Sequence, residues 1–223
     1  MTQGPILLVS GAGLASWIWD DVRKELDRPT VVAERPQHEG ATLRQYAEAA
    51  LASAPWERFA VVAHSSGGAV AAEMMAVAPE RVSALLAVSA VVPKAGGSFV
   101  SSMPFPQRAV LGVAMRLAGT RPPDSAIRRG VAGRVDEKTA DRIVADFTAE
   151  SLNLYRDKPR NTGFPAHRGY LTTKQDAELP VGLQHRFAAN LGTAWNESLE
   201  TGHLPMLEAP EALARQIERF LTT

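Results

Sequence analysis

Phe59-Ala60-Val61-Val62-Ala63-His64-Ser65-Ser66-Gly67-Gly68-Ala69-Val70-Ala71-Ala72-Glu73 passes from a β-branched apolar run, through a serine among small residues, into an alanine-rich segment. A strand that turns sharply into a helix with a serine at the turn has this pattern, the nucleophile elbow G-x-S-x-G. Ala63 fills the first glycine position and Gly67 the last, so Ser65 is the candidate nucleophile. A plain N-cap serine would also suit a helix start. Gly67-Gly68 argues against that alternative, because glycine costs a helix about 1 kcal/mol per residue relative to alanine and is placed there only for a steric reason.

Working outward, Ile6-Leu7-Leu8-Val9-Ser10 is a short apolar run that ends in Gly11-Ala12-Gly13, the pattern of a buried parallel strand entering a glycine-bearing turn. Trp17, Trp19, Val22 and Leu26 then fall near helical spacing before Pro29, and Thr30-Val31-Val32-Ala33 reads as a second strand. Thr42 to Ala54 is helical, with Thr42 as N-cap and Leu43, Tyr46, Ala50 and Leu51 on one face. Val82 to Ala90 gives another strand. Strand and helix have by then alternated four times, which predicts an α/β fold, a mostly parallel sheet with helices on both faces that two later strands make six-stranded.

The alternation stops near Pro93. From there to Pro165 the chain carries Gly96-Gly97, Pro104, Pro106, Pro122-Pro123 and helix-like pieces at Val110–Leu117 and Thr139–Leu154. Unstructured loops longer than about 15 residues are uncommon in compact domains, so residues 93–165 are expected to form an inserted helical cap on a core of 1–92 and 166–223. Alternation resumes with His167–Thr172, a helix over Val181–Leu191, a strand over Ala194–Leu199 and a closing helix over Pro210–Leu221.

With 24 Lys plus Arg against 24 Asp plus Glu, the chain has no net field to gather nucleic acid or an anionic membrane surface. Hydrophobic residues at 45% and charged residues at 22% are those of a folded globular chain. Cysteine is absent, which removes disulfides, thiolate nucleophiles and thiolate metal sites. Met1-Thr2-Gln3-Gly4-Pro5 has no basic leader, and no run approaches the ~20 apolar residues of a membrane span. A cytoplasmic monomer or homodimer without metal or cofactor is expected, and Gly11-Ala12-Gly13 is too short for a dinucleotide fingerprint.

A serine hydroxyl needs a base within hydrogen-bond reach and a third group to orient that base. Of His38, His64, His167, His185 and His203, only His203 follows a strand and sits in a loop before a helix, in Thr201-Gly202-His203-Leu204-Pro205-Met206. His64 adjoins Ser65 and is expected to pack or bond beside the elbow. In elbow-bearing α/β chains the acid lies between nucleophile and histidine. Gly169 to Pro180 is a strand and polar loop with two carboxylates, of which Asp176 is the first choice and Glu178 the fallback.

The elbow, Ser10-Gly11-Ala12-Gly13 with Trp17-Ile18-Trp19, Thr173-Lys174-Gln175-Asp176 with Pro180 and Gln184, and Gly202-His203-Leu204-Pro205-Met206-Leu207-Glu208-Ala209-Pro210 follow one another in order along nearly the whole chain. On these residues the chain resembles the α/β-hydrolase-fold superfamily, nearest its small methylesterase and hydroxynitrile-lyase-like branch. The resemblance implies an oxyanion hole from the backbone N–H groups of Ala12 and Ser66. The chain departs from it at Ser10, where His usually precedes Gly, and at Ala63. Large apolar side chains at Trp17, Trp19, Met103, Phe105 and Met115 suit an acyl or aryl pocket as well as a core. Expected substrate contacts are Ser10, Leu14, Trp17, Met103, Phe105 and Leu204.

The implied activity is that of a cofactor-free serine hydrolase of a small or medium ester, thioester or related acyl compound. Acyl transfer, or cyclase or lyase action on a biosynthetic intermediate, would use the same three residues, and a noncatalytic small-molecule-binding protein could keep the fold. A serine at the elbow disfavours dehalogenation and epoxide opening, which use Asp there. Leu204, where the lyases carry lysine, disfavours cyanohydrin cleavage.

Overall fold

A computed structural model describes residues 4–36, 38–160 and 163–223. Met1, Thr2 and Gln3, on which the leader expectation partly rests, lie outside the described residues. The chain runs β1 (Ile6–Val9), a 3₁₀ turn (Ser16–Trp19), α1 (Asp20–Glu25), β2 (Thr30–Val32), α2 (Leu43–Ser53), β3 (Phe59–His64), α3 (Gly67–Val77) and β4 (Val82–Val88). Between β4 and the next strand come α4 (Phe99–Ser102), α5 (Gln107–Ala118), α6 (Asp124–Ala126) with a π turn (Ile127–Val131), α7 (Glu137–Asp146) and α8 (Leu152–Arg156). β5 (His167–Thr173), α9 (Val181–Leu191), β6 (Trp195–Leu199), α10 (Pro205–Glu208) and α11 (Pro210–Thr222) complete it.

The strands form one six-stranded sheet in the order β2-β1-β3-β4-β5-β6, and every pairing is parallel. β1 and β3 are buried along their whole length, as strands covered on both faces must be, and this is why they read as continuous apolar runs. The chain leaves β1 to form β2 on one side and returns to form β3 on the other. The sheet therefore switches direction between β1 and β3, and a crevice at such a switch point is where α/β sheets bind ligands. Val9 pairs with Ala63 at the carboxyl ends of these strands, so the Gly11 loop and Ser65 emerge side by side.

Thr42 caps α2 as expected, in a reciprocal box: its Oγ1 accepts from Gln45 N–H at 3.3 Å and Gln45 Oε1 accepts from Thr42 N–H at 2.9 Å. α3 is buried from Gly67 to Met75, which explains its mainly apolar composition, and the one carboxylate in that stretch, Glu73, pairs with Arg160 at 2.6 Å. The two glycines have the steric reason their helix cost demands. A methyl at Gly67 would lie 2.6 Å from Val9 O, and one at Gly68 would lie 2.5 Å from Val91 O. Gly68→Ala is expected to destabilise the fold by about 1–3 kcal/mol, the usual cost of overpacking. In a chain this size that lowers Tm by roughly 2–4 °C per kcal/mol, measurable in a thermal melt.

One predicted element divides. The Thr139–Leu154 stretch was expected as a single helical piece, but helix α7 ends at Asp146 and α8 begins at Leu152. Residues between them bond back to the β1 loop: Thr148 N–H donates to Gly13 O at 3.1 Å and Glu150 accepts from Gly13 N–H at 2.9 Å. Two long-range hydrogen bonds to the β1 loop thus replace the continuous helix. Among the described residues, no helix is long and apolar enough to cross a membrane.

Candidate active site

Ser65 has φ +53°, in the left-handed region that a non-glycine residue enters only at a cost of order 1–3 kcal/mol. The turn is held there by bonds at both ends of the residue. Its N–H donates to Ser89 O at 3.2 Å, and its carbonyl accepts from Val91 N–H at 2.8 Å and Gly68 N–H at 3.1 Å. Ala63 lies inside β3 with negative φ, so its methyl causes no strain. Gly11 faces the serine, and a methyl there would come 2.7 Å from Ser65 Cβ.

His203 Nε2 lies 3.1 Å from Ser65 Oγ, and His203 Nδ1 lies 2.8 Å from Asp176 Oδ2. Two residues that sequence reasoning did not single out complete the carboxylate's shell. Ser89 Oγ and Thr173 Oγ1 also donate to Asp176 Oδ2, while Oδ1 accepts from the backbone N–H groups of Glu178 and Leu179 at 2.8 and 2.9 Å. Buried Gln184 braces this loop by donating to Thr173 O and Leu179 O and accepting from Thr173 N–H. Ser89 is a second strained position, at φ +40°, immediately after β4. Its role depends on a partner 87 residues away, which no local motif announces.

These contacts set the ionisation of the pair. Burial pushes the Asp176 carboxyl up, but the adjacent His203 ring and the donors from His203, Ser89 and Leu179 outweigh it and hold the group below the usual carboxylate range. Burial likewise pushes His203 down, and the charge and hydrogen bond of Asp176 reverse this, leaving its pKa raised. His64 goes the other way: burial, then the neighbouring His203, lower it to about 3, so it stays neutral. Its Nε2–H donates to His203 O at 2.8 Å and its ring tilts against the His203 ring at 4.7 Å, which is packing and bonding beside the elbow.

Ser65 and His203 open onto a cavity of about 510 Å³ walled mainly by apolar side chains, among them Leu14, Met103, Leu111, Met115, Phe147 and Leu179. Ala12 and Ser66 also line it, and among the described residues no acceptor takes the backbone N–H of either one. Of the six expected substrate contacts, Leu14 and Met103 are in this wall and the other four lie elsewhere. Ser10 is buried and its Oγ accepts from Trp19 Nε1 at 2.9 Å. Trp17 donates from Nε1 to Asp146 at 2.8 Å, with Arg142 over its ring. Leu204 is wholly buried in the core, whereas Phe105 is 74% exposed. The fallback carboxylate, Glu178, lines the cavity, where loss of solvation around the carboxyl, and then the nearby Asp176 charge, raise its pKa.

A serine at a strand–turn–helix corner, with an imidazole and a buried carboxylate in hydrogen-bonded series behind it at the carboxyl edge of a parallel sheet, defines an α/β protein of the hydrolase type. The sequence matches the Alpha/beta hydrolase family over residues 6–216, and the chain belongs to that family. Norfluorocurarine synthase 1 from a Strychnos species is 24% identical over 253 residues, covering 98% of this chain and 95% of that protein. An extracellular alpha/beta-hydrolase from a Paenibacillus species superposes with a TM-score of 0.82 at 17% identity, over 96% of this chain and 98% of that one. A methylesterase from Arabidopsis superposes with a TM-score of 0.78 at 15% identity, over 98% of each chain. At these identities the structural likeness is one of fold.

Proposed function

We propose that the protein is a serine hydrolase of apolar carboxylic esters or related acyl compounds, acting through an acyl-enzyme on Ser65. The supporting observation is the Ser65–His203–Asp176 series, at 3.1 and 2.8 Å, opening onto an apolar cavity. His203 takes the Ser65 proton as Oγ attacks the carbonyl carbon. Asp176 holds the imidazole with Nδ1 protonated and stabilises the imidazolium. The tetrahedral oxyanion faces the N–H groups of Ala12 and Ser66, and donors of this kind contribute about 3–4 kcal/mol each where measured by removal. Collapse expels the alcohol, protonated by His203, and a water activated by the same ring then releases the acid. In this scheme residues 93–165 act as the cap, because α4, α5 and the segment before α8 supply much of the cavity wall.

A panel of p-nitrophenyl esters of rising acyl length tests the proposal. Burying a methylene is worth about 0.8 kcal/mol, so kcat/KM should climb up to about fourfold per added methylene until the cavity is filled. Failure of every ester to turn over, with no labelling of Ser65 by a fluorophosphonate, would overturn it in favour of a noncatalytic binding protein. One observation favours a second reading, acyl transfer or cyclisation of a biosynthetic intermediate: the relative matched over nearly its full length is a synthase. Product analysis with an added alcohol or amine acceptor separates the two, since transfer yields the new ester or amide in place of free acid.

A further inference from the structure

We propose that Arg35 is a positioning residue for the oxyanion hole, acting through the Gly11–Ala12 peptide; the inference rests on the serine-hydrolase proposal above. The oxyanion donor assigned to the β1 loop is Ala12 N–H. That N–H shares one rigid peptide unit with Gly11 C=O, and in a trans peptide the two point in opposite directions. Arg35 donates from Nη2 to Gly11 O, so the guanidinium grips the far side of the unit whose near side faces the cavity. Fixing the oxygen fixes the direction of the N–H.

Within the loop, Gly11 O accepts only one long turn bond, from Leu14 N–H at 3.3 Å, so the guanidinium supplies the firmer hold. Gly11 must lack a side chain beside Ser65, and Gly13 sits at φ +73° against the Phe147 ring. Glycines on both sides of Ala12 leave the loop with wide conformational freedom. Ser10 gives no support from its side chain to the cavity face, since its hydroxyl is engaged by Trp19. A largely buried polar network outside the loop adds to that turn bond. Arg35 Nη1 pairs with Glu150 Oε1 at 2.5 Å, and the same oxygen accepts from Gly13 N–H at 2.9 Å. Glu150 Oε2 accepts from Tyr46 OH at 2.8 Å, and that hydroxyl oxygen accepts from Ser151 N–H at 3.0 Å. The ion pair therefore holds the peptides on both sides of Ala12, with side-chain exposures of only 20% for Arg35 and 5% for Glu150. Charge-assisted bonds of this kind are roughly twice as strong as neutral ones. The bond to Gly11 O also polarises the peptide, which strengthens its N–H as a donor.

The test compares wild type, Arg35→Met and Arg35→Lys on one p-nitrophenyl ester and on a trifluoromethyl ketone of the same acyl chain, which captures Ser65 as a tetrahedral adduct. Arg35→Met should lower kcat by about 10²-fold, the effect of losing one oxyanion donor, with KM moved by only a few-fold. Arg35→Lys, which keeps the charge beside Glu150 but lacks the two-pronged reach, should fall between it and wild type. Ketone affinity should weaken in step with kcat/KM across the three proteins. A merely structural arginine would weaken substrate and ketone alike, and that result, or unchanged kcat in Arg35→Met, would overturn the inference. Should Arg35→Met fail to fold, Arg35→Lys decides by the same comparison. Wild type that neither hydrolyses the ester nor binds the ketone would instead reject the serine-hydrolase proposal itself.

Discussion

Ser65→Ala should lower kcat for p-nitrophenyl ester hydrolysis on the order of 10⁶-fold, the loss seen when a serine hydrolase is deprived of its nucleophile, while leaving the protein folded and able to bind. The size of the effect follows from what the side chain does. In the proposed mechanism its hydroxyl oxygen forms the new bond, so no neighbouring group can take over at 3.1 Å from His203 Nε2. The backbone conditions at the elbow are unchanged by the substitution. Alanine meets the same steric cost at φ +53°, and the bonds from Ser65 N–H to Ser89 O and from Val91 N–H to Ser65 O belong to the main chain. The apolar wall at Met103, Leu111 and Phe147 is likewise untouched, so a non-hydrolysable amide of the preferred acyl chain should bind within a few-fold of wild type by calorimetry. Turnover that survives the substitution would place the chemistry elsewhere. Loss of both binding and turnover would point to a collapsed elbow, which a thermal melt would reveal.

The parts of the molecule visible in its sequence are those whose causes are local. β1 and β3 announce themselves because strands buried on both faces must be apolar throughout, and the Gly67-Gly68 pair because backbone from Val9 and Val91 closes on it. Asp176 and His203 could be proposed because each sits in a short loop directly after a strand. What stayed hidden depends on partners distant in the chain. Ser89 meets Asp176 across 87 positions, Arg35 meets Glu150 across 115, and Tyr46 meets Glu150 across 104. The same distance effect divided the Thr139–Leu154 stretch: helical spacing continues through it, but Gly13 takes Glu150 out of the helix. Trp17, Phe105 and Leu204 show the converse, since size and apolarity mark a side chain that packs well without saying which surface it packs against. Among them one is in the core, one is exposed, and one is held at the surface by Asp146 and Arg142.

Asp176→Asn should lower kcat by about 10⁴-fold, as loss of the orienting carboxylate does in serine proteases, and should also shift the pH profile in a direction that identifies the partner. Asp176 accepts from His203 Nδ1, Ser89, Thr173 and two backbone N–H groups. An amide has one acceptor oxygen in place of two, so it cannot satisfy them all. If its NH₂ faces His203, the ring is driven to carry its proton on Nε2, where it cannot receive one from Ser65. In the proposed mechanism the base works only as neutral imidazole, so kcat/KM in wild type should fall as pH drops through the His203 pKa. Asp176 raises that pKa above its ordinary 6.5, and the acid limb should lie correspondingly above 6.5. Removing the anion leaves the burial that disfavours imidazolium, so in Asp176→Asn the limb should move to lower pH even as the maximum falls. Glu178→Gln is the control. Its carboxyl lines the cavity without occupying Nδ1, and the variant should keep kcat within a few-fold, with a smaller shift of the limb in the same direction. A limb that stays in place in Asp176→Asn but drops sharply in Glu178→Gln would transfer the orienting role to Glu178.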